Sequence, residues 1–279
     1  MDRILYTAMS GAKQSMDQQA VVNHNLSNVS TTGFRAQLHA MRAVPVQGDG
    51  HLPTRVSVAA TTPGSDFSQG PMMSTGRELD VALEGGAWLA VQADDGSEAY
   101  TRRGDLQVDG DGIVMLAGRP VIGEGGPIVV PLGAQLSVGS DGTLSAIGQG
   151  EDPDALVDVG RLKLVTPEAD LLRGDDGLFR PPVGEEGEPV VLEADEDARL
   201  VSGTLEGSNV SAVESMVAMI DVARRYDMQM KVIGSADENA QPVGDILRID
   251  DRSARRPFPG MGGTADLPGY DKLVAQRQG

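Results

Sequence analysis

The chain contains no cysteine, which removes disulfides, thiolate nucleophiles and cysteine-held metals from consideration. Aromatic residues are scarce, with one Trp, four Tyr and four Phe among 279 residues. That is a thin supply of the anchors that dominate tight ligand pockets and interface hot spots. The three histidines, His24, His39 and His51, are too scattered to form a ligand motif. No apolar run reaches the roughly 18 residues of a membrane span. The N-terminus passes from Met1-Asp2-Arg3 straight into an amphipathic pattern, without the apolar centre of a cleaved leader. The chain is therefore expected to be cytosolic, unless it is exported by a route that needs no such peptide.

The charge is strongly one-sided, at −18, and unevenly spread. Residues 41–200 carry 11 basic against 28 acidic groups, whereas residues 1–40 come to +1 and residues 250–279 to +1. Residues 201–249 come to −3. An acidic middle repels nucleic acid and anionic membrane. Near-neutral ends are free to pack against protein.

Residues 3–29 are expected to form one long helix. Leu5, Ala8, Ala12, Ser15, Gln19, Val22 and Leu26 follow three-four spacing, and small residues at Ala8, Gly11, Ala12 and Ser15 permit close approach by a neighbour. Asn25 and Asn28 supply amides where this helix ends, and Gly33 supplies a left-handed turn. A second helix is expected after Ser211, whose hydroxyl and Glu214 form a capping box. Its stripe runs Val213, Met216, Val217, Ile220 and Ala223, with Met230 and Ile233 beyond, and is expected to stop near Gly234 or Ser235. Two long amphipathic helices at the extremes need a partner face, and each other is the simplest candidate.

Between them the pattern is β. Residues 41–78, rich in Pro and Gly, read as an extended connector with one or two strands. From Leu79 short alternating runs are separated by turn signals, among them Asp109-Gly110-Asp111-Gly112 and Ser140-Asp141-Gly142-Thr143. Short spacing and frequent turns point to an antiparallel β domain over 79–200, not a parallel sheet with crossover helices. The expected fold class is thus mixed α+β: terminal helices (1–40 and 201–249) in a coiled-coil-like layer, a central antiparallel β domain, and an extension over 250–279.

No constellation carries chemistry. Asp109-Gly110-Asp111-Gly112 lacks the twelve-residue loop and closing Glu of a calcium site, and the acidic run from Glu185 to Asp197 lacks the rigidly opposed carboxylates of a glycosidase. Gly85-Gly86 has neither the further glycine spacing nor the Lys of a phosphate cradle. No enzyme activity, cofactor or metal is expected. A secreted carbohydrate-active or cation-binding β domain is the alternative from another class.

Specific resemblance lies at the ends. Met1 to Ala12, with Asn23-His24-Asn25-Leu26-Ser27-Asn28-Val29-Ser30-Thr31-Thr32-Gly33-Phe34-Arg35, resembles the N-terminal signature of flagellar rod and hook axial proteins. Leu205-Glu206-Gly207-Ser208-Asn209-Val210 and Arg224-Arg225-Tyr226 match its C-terminal counterpart, and Leu79 to Gly85 with Tyr100-Thr101-Arg102-Arg103-Gly104 fit its β domain. The opening is closest to the proximal-rod branch, a distal rod or hook protein being the alternative.

The resemblance implies a structural subunit exported by the flagellar type III apparatus. Copies of the chain and other rod proteins would then be its partners, in a helical polymer within the basal body. It implies assembly contacts at Leu5, Ala8, Gly11, Ala12, Val22, Asn25, Leu26, Asn28, Gly33, Phe34, Ser208, Asn209, Val213, Met216, Ile220, Ala223 and Arg224.

Overall fold

A computed structural model of the protein describes residues 2–45, 56–148, 156–182 and 190–253. The expected extension beyond 253, the centre of the connector and the acidic stretch at 183–189 lie outside the described residues.

Helix α1 spans Asp2–Ser27 and helix α2 spans Ala212–Ser253. They pack against each other. The pairing is antiparallel: α1 ends beside the segment that starts α2, while the Gln229 side chain reaches back to Ser15 and Gly11. At about 1.5 Å per residue α1 is about 39 Å long and α2 about 63 Å, so the C-terminal part of α2 runs on past the start of α1. Ser211 caps α2 as expected, its hydroxyl accepting from the Glu214 N–H at 3.3 Å. The expected stop near Gly234 does not occur. Gly234 does not take the left-handed conformation that ends a helix, and α2 continues to Ser253.

The connector is more ordered than its composition suggests. Strands β1 (Gln37–Pro45) and β2 (Val56–Ser65) form an antiparallel ribbon with a register shift between Leu38 and Ala40, and the ribbon packs on α1. Beyond it every strand pairing of the β domain is antiparallel.

The strand Trp88–Gln92 lies inside a five-stranded sheet and shows why one domain carries two apolar centres. Alternation sends Leu89 and Val91 into the larger core with Leu83, Leu106 and Leu144. The same alternation sends Trp88 and Ala90 to a second cluster with Tyr100, Val165, Leu171 and Phe179. Both Asp-Gly turns behave as hairpin turns. Asp109 accepts from the N–H groups of Asp111 and Ile113, Asp141 from that of Thr143, and Gly112 and Gly142 both sit at φ +84°. Ile128–Val130 forms no strand of its own; it contributes a single bridge, Val129 with Ile113.

Candidate functional site: the buried joint and the helix faces

The chain passes from helical layer to β domain twice, at residues 33–37 and 203–211, and both passages converge on one carboxylate. Glu206 ends the strand Thr204–Glu206, which pairs with Met72–Ser74. Its side chain is fully buried between two arginines that are 2% and 1% exposed, Arg35 and Arg102. One oxygen accepts from Arg35 at 2.5 Å and from the Gly70 N–H at 2.9 Å. The other accepts from Arg102 Nε at 3.0 Å and from its terminal nitrogen at 2.7 Å. Arg102 spends its remaining donors on the carbonyls of Leu83, Gly85 and Ala87. Burial pulls the Arg102 pKa down and Glu206 pushes it up. A guanidinium keeps its charge regardless, so the triad holds one negative and two positive charges away from water.

Backbone contacts around it are equally close. The Gly33 N–H donates to the Glu206 carbonyl at 2.7 Å. At φ +65° a Cβ on Gly33 would lie 2.4 Å from the Arg102 backbone, so no side chain fits there.

The amides singled out from sequence are spent in the same joint. Asn25 acts as an extra strand partner for Gln37, accepting from its N–H at 2.8 Å and donating to its carbonyl at 2.9 Å. Asn28 donates to the His24 carbonyl and accepts from the Thr31 hydroxyl. Asn209 accepts from the Ala36 N–H at 2.7 Å and donates to the carbonyls of Asp66 and Ser68, and Ser208 accepts from the Val210 N–H. Phe34 is buried with its ring 5.6 Å from that of His24 and 4.4 Å below the Arg173 guanidinium. The His24 pKa is lowered, first by burial and second by the Arg173 cation. Asn25, Asn28, Gly33, Phe34, Ser208 and Asn209 are thus gathered into contacts within one chain.

The two helical stripes fare differently. On α1, Leu5, Ala8, Ala12, Val22 and Leu26 all lie on the buried or half-buried side, and the Gln229 amide fills the space left by Gly11. On α2 the face turned inward is Ala212, Ser215, Ala218, Met219, Val222, Tyr226 and Gln229. The stripe read from sequence is displaced from it by about one residue: Val213, Met216, Val217, Ile220, Ala223 and Met230 are exposed, as is Arg224, and of the stripe only Ile233 is half-buried. In the antiparallel pair the small-residue edge of α1 faces the later turns of α2, where Gln229 reaches Gly11 and Ser15, while the small side chains of Ala212, Ser215 and Ala218 lie toward the C-terminal end of α1.

What sequence reasoning missed is the triad. Glu206 stood in the quoted C-terminal motif, and Arg35 and Arg102 stood in two others. The available signal was a charge set among apolar and small residues in each motif, though Arg102 stands beside a second arginine, Arg103. Among the described residues no His, Asp and Glu group is arranged to hold a metal ion, and no helix is long and apolar enough to cross a membrane.

Comparison with known proteins assigns the class first. Three family descriptions match in order: "Flagella basal body rod protein" over 5–35, "Flagellar hook protein FlgE/F/G D1 domain" over 82–146, and "Flagellar basal body rod FlgEFG protein C-terminal" over 201–243. Each contributes one member of the triad. The chain is 53% identical over 251 residues to the flagellar basal-body rod protein FlgF of Escherichia coli, covering 89% of this chain and all of that protein. It is 32% identical to FlgF of Caulobacter vibrioides, over 88% of this chain and 98% of that one. Against the rod protein FlgG of Agrobacterium fabrum identity is 30%, over 88% and 100%. The chain belongs to the FlgF family of flagellar basal-body rod proteins, a family of structural, non-catalytic axial subunits.

Proposed function

We propose that the chain builds the proximal rod by packing the outward face of α2 against neighbouring axial subunits, copies of itself and other rod proteins. One observation carries the reading. Along the first three turns of α2, Val213 is 71% exposed, Met216 and Val217 54% and Ile220 53%. A row of exposed apolar side chains on one helix, with Tyr6, Met9 and Met16 of α1 exposed as well, is what a subunit presents when its helical layer is completed by others. Leu5, Ala8, Gly11, Ala12, Val22 and Leu26 then hold the pair together, while Val213, Met216, Ile220, Ala223 and Arg224 meet neighbours. The joint residues Asn25, Asn28, Gly33, Phe34, Ser208 and Asn209 fix the angle at which the β domain leaves the helical layer. Delivery through the flagellar type III apparatus to the basal body completes the reading.

Two substitutions on adjacent faces of α2 test it. Ile220→Asp should leave the melting temperature of the purified chain unchanged within about 2 °C, because its side chain already meets water. It should nevertheless fail to restore motility to a strain lacking the protein, since the carboxylate would be desolvated at each subunit contact. Val222→Asp, at a fully buried position, should instead unfold the helix pair. A swimming Ile220→Asp strain refutes the assignment of that face.

A further inference from the structure

Against a chain of charge −18, one crevice is basic. It lies between the loop after α1 and the sheet strands, encloses about 210 Å³ and is walled by Phe34, Arg103, Arg119, Arg173, Asp176 and Leu178. Its cations are mostly satisfied. Arg103 pairs with Asp105, Arg119 with Asp94, and nearby Arg180 with Asp176. Arg173 is the exception. One of its terminal nitrogens donates to the Arg35 carbonyl at 2.9 Å, and its guanidinium carbon lies 4.4 Å from the Phe34 ring centre and 5.6 Å from that of Phe179. Among the described residues no carboxylate meets it and its other N–H groups have no acceptor. Beside it Arg35, itself buried, leaves its Nε without a partner.

We propose that this crevice is a docking site for a carboxylate side chain, Asp or Glu, presented by a neighbouring subunit of the rod. The inference rests on the assembly reading above and adds to it a specific contact outside the helical layer. A guanidinium held over an aromatic ring and tied by one nitrogen to a carbonyl presents a planar fork of N–H groups, which suits the two oxygens of a carboxylate. Burial lowers the Arg173 pKa with no described acidic group to oppose it; the guanidinium stays charged, and an incoming carboxylate supplies its missing counter-charge. The likelihood of meeting one is set by composition: residues 41–200 carry 28 acidic groups, so the outer surface of another copy, or of a similarly acidic neighbour, offers many.

The full-length chain is titrated with the blocked peptide Gly-Glu-Glu-Gly, with its Gln-Gln counterpart and with inorganic phosphate, following the His24 imidazole and arginine side-chain resonances. The acidic peptide should perturb both, and Arg173→Ala should weaken it by about tenfold, the scale of one charge-assisted hydrogen-bonded contact. Arg173→Lys, which keeps charge and bulk but not the planar fork, should fall between. Equal binding of the Gln peptide, equal binding of phosphate, or an unchanged titration in both variants overturns the site. In assembled rods a photoreactive residue replacing Arg119 should capture an Asp- or Glu-containing peptide of an adjacent subunit. Capture confined to the same chain, for instance to residues 183–189, overturns the partner. Neither measurement depends on Ile220, so failure here is distinguishable from failure of the helix-face reading.

Discussion

Replacing Glu206 by Gln changes one atom and removes the only carboxylate between two buried arginines. Its two oxygens accept four N–H groups: from Arg35, from Gly70 and twice from Arg102. Glutamine keeps one accepting oxygen and turns the other position into a donor. If its oxygen stays on Arg35 and Gly70, an NH₂ group faces the two Arg102 donors. Both guanidinium groups then lie in a site that is 0–2% exposed, with no counter-ion. Breaking a buried pair by removing one partner costs about 3–5 kcal/mol, because the surviving charge stays desolvated. At about 2–4 °C per kcal/mol for a domain of this size, the melting temperature should drop by about 6–20 °C.

The measurement is a calorimetric or circular-dichroism melt of the purified full chain. Asp105→Asn serves as control, because its pair with Arg103 is 34% and 21% exposed and should be worth about 1 kcal/mol or less. A second comparison separates net stabilisation from the penalty of a broken pair. Arg35→Met, Glu206→Leu and Arg102→Met made together remove every charge, and such replacements are often neutral. A stable triple variant that no longer assembles would assign the triad to orienting the two layers. A Glu206→Gln chain melting within about 2 °C of wild type would refute the argument, since it would mean that water reaches the site.

Gly104→Ala should destabilise by about 3 kcal/mol or more, because its Cβ would lie 1.7 Å from the Val81 carbonyl oxygen; Gly110→Ala, in open space, is the control expected to melt as wild type. Tyr100 has its pKa raised by burial, helped by Glu98 and opposed by the Leu192 N–H. Its contribution is full below the unfolded value of about 10 and is lost as pH rises above that, so stability should fall in alkali and Tyr100→Phe should flatten the fall. The His24 pKa is depressed below 6.5, by burial first and Arg173 second, which makes its contribution present above that value and lost as pH falls. In Arg173→Ala an NMR titration of His24 should move up but stop short of 6.5, since the larger cause remains; an unchanged value would show that Arg173 exerts no field there.

Features encoded within a few residues were legible in the sequence alone. The α1 stripe from Leu5 to Leu26, the Ser211 cap, the Asp-Gly hairpin turns and the acidic middle depend on backbone geometry and composition inside short windows. The antiparallel β class followed from their spacing, and the family from motifs at both ends. Two matters were settled only by tertiary structure. Helical periodicity shows that α2 has apolar residues but not which of its faces is covered; packing against α1 along Ala212, Ser215, Ala218, Met219 and Val222 decided that, leaving Val213, Met216, Val217 and Ile220 outside. Nor does any local window reveal that Arg35, Arg102 and Glu206 share one site. Their separations are 171 and 104 residues, and a buried charge is tolerable only where the fold brings its counter-charge and hydrogen-bond donors to it. That compensation is a property of the folded joint, because in the unfolded chain water solvates each of the three charges by itself.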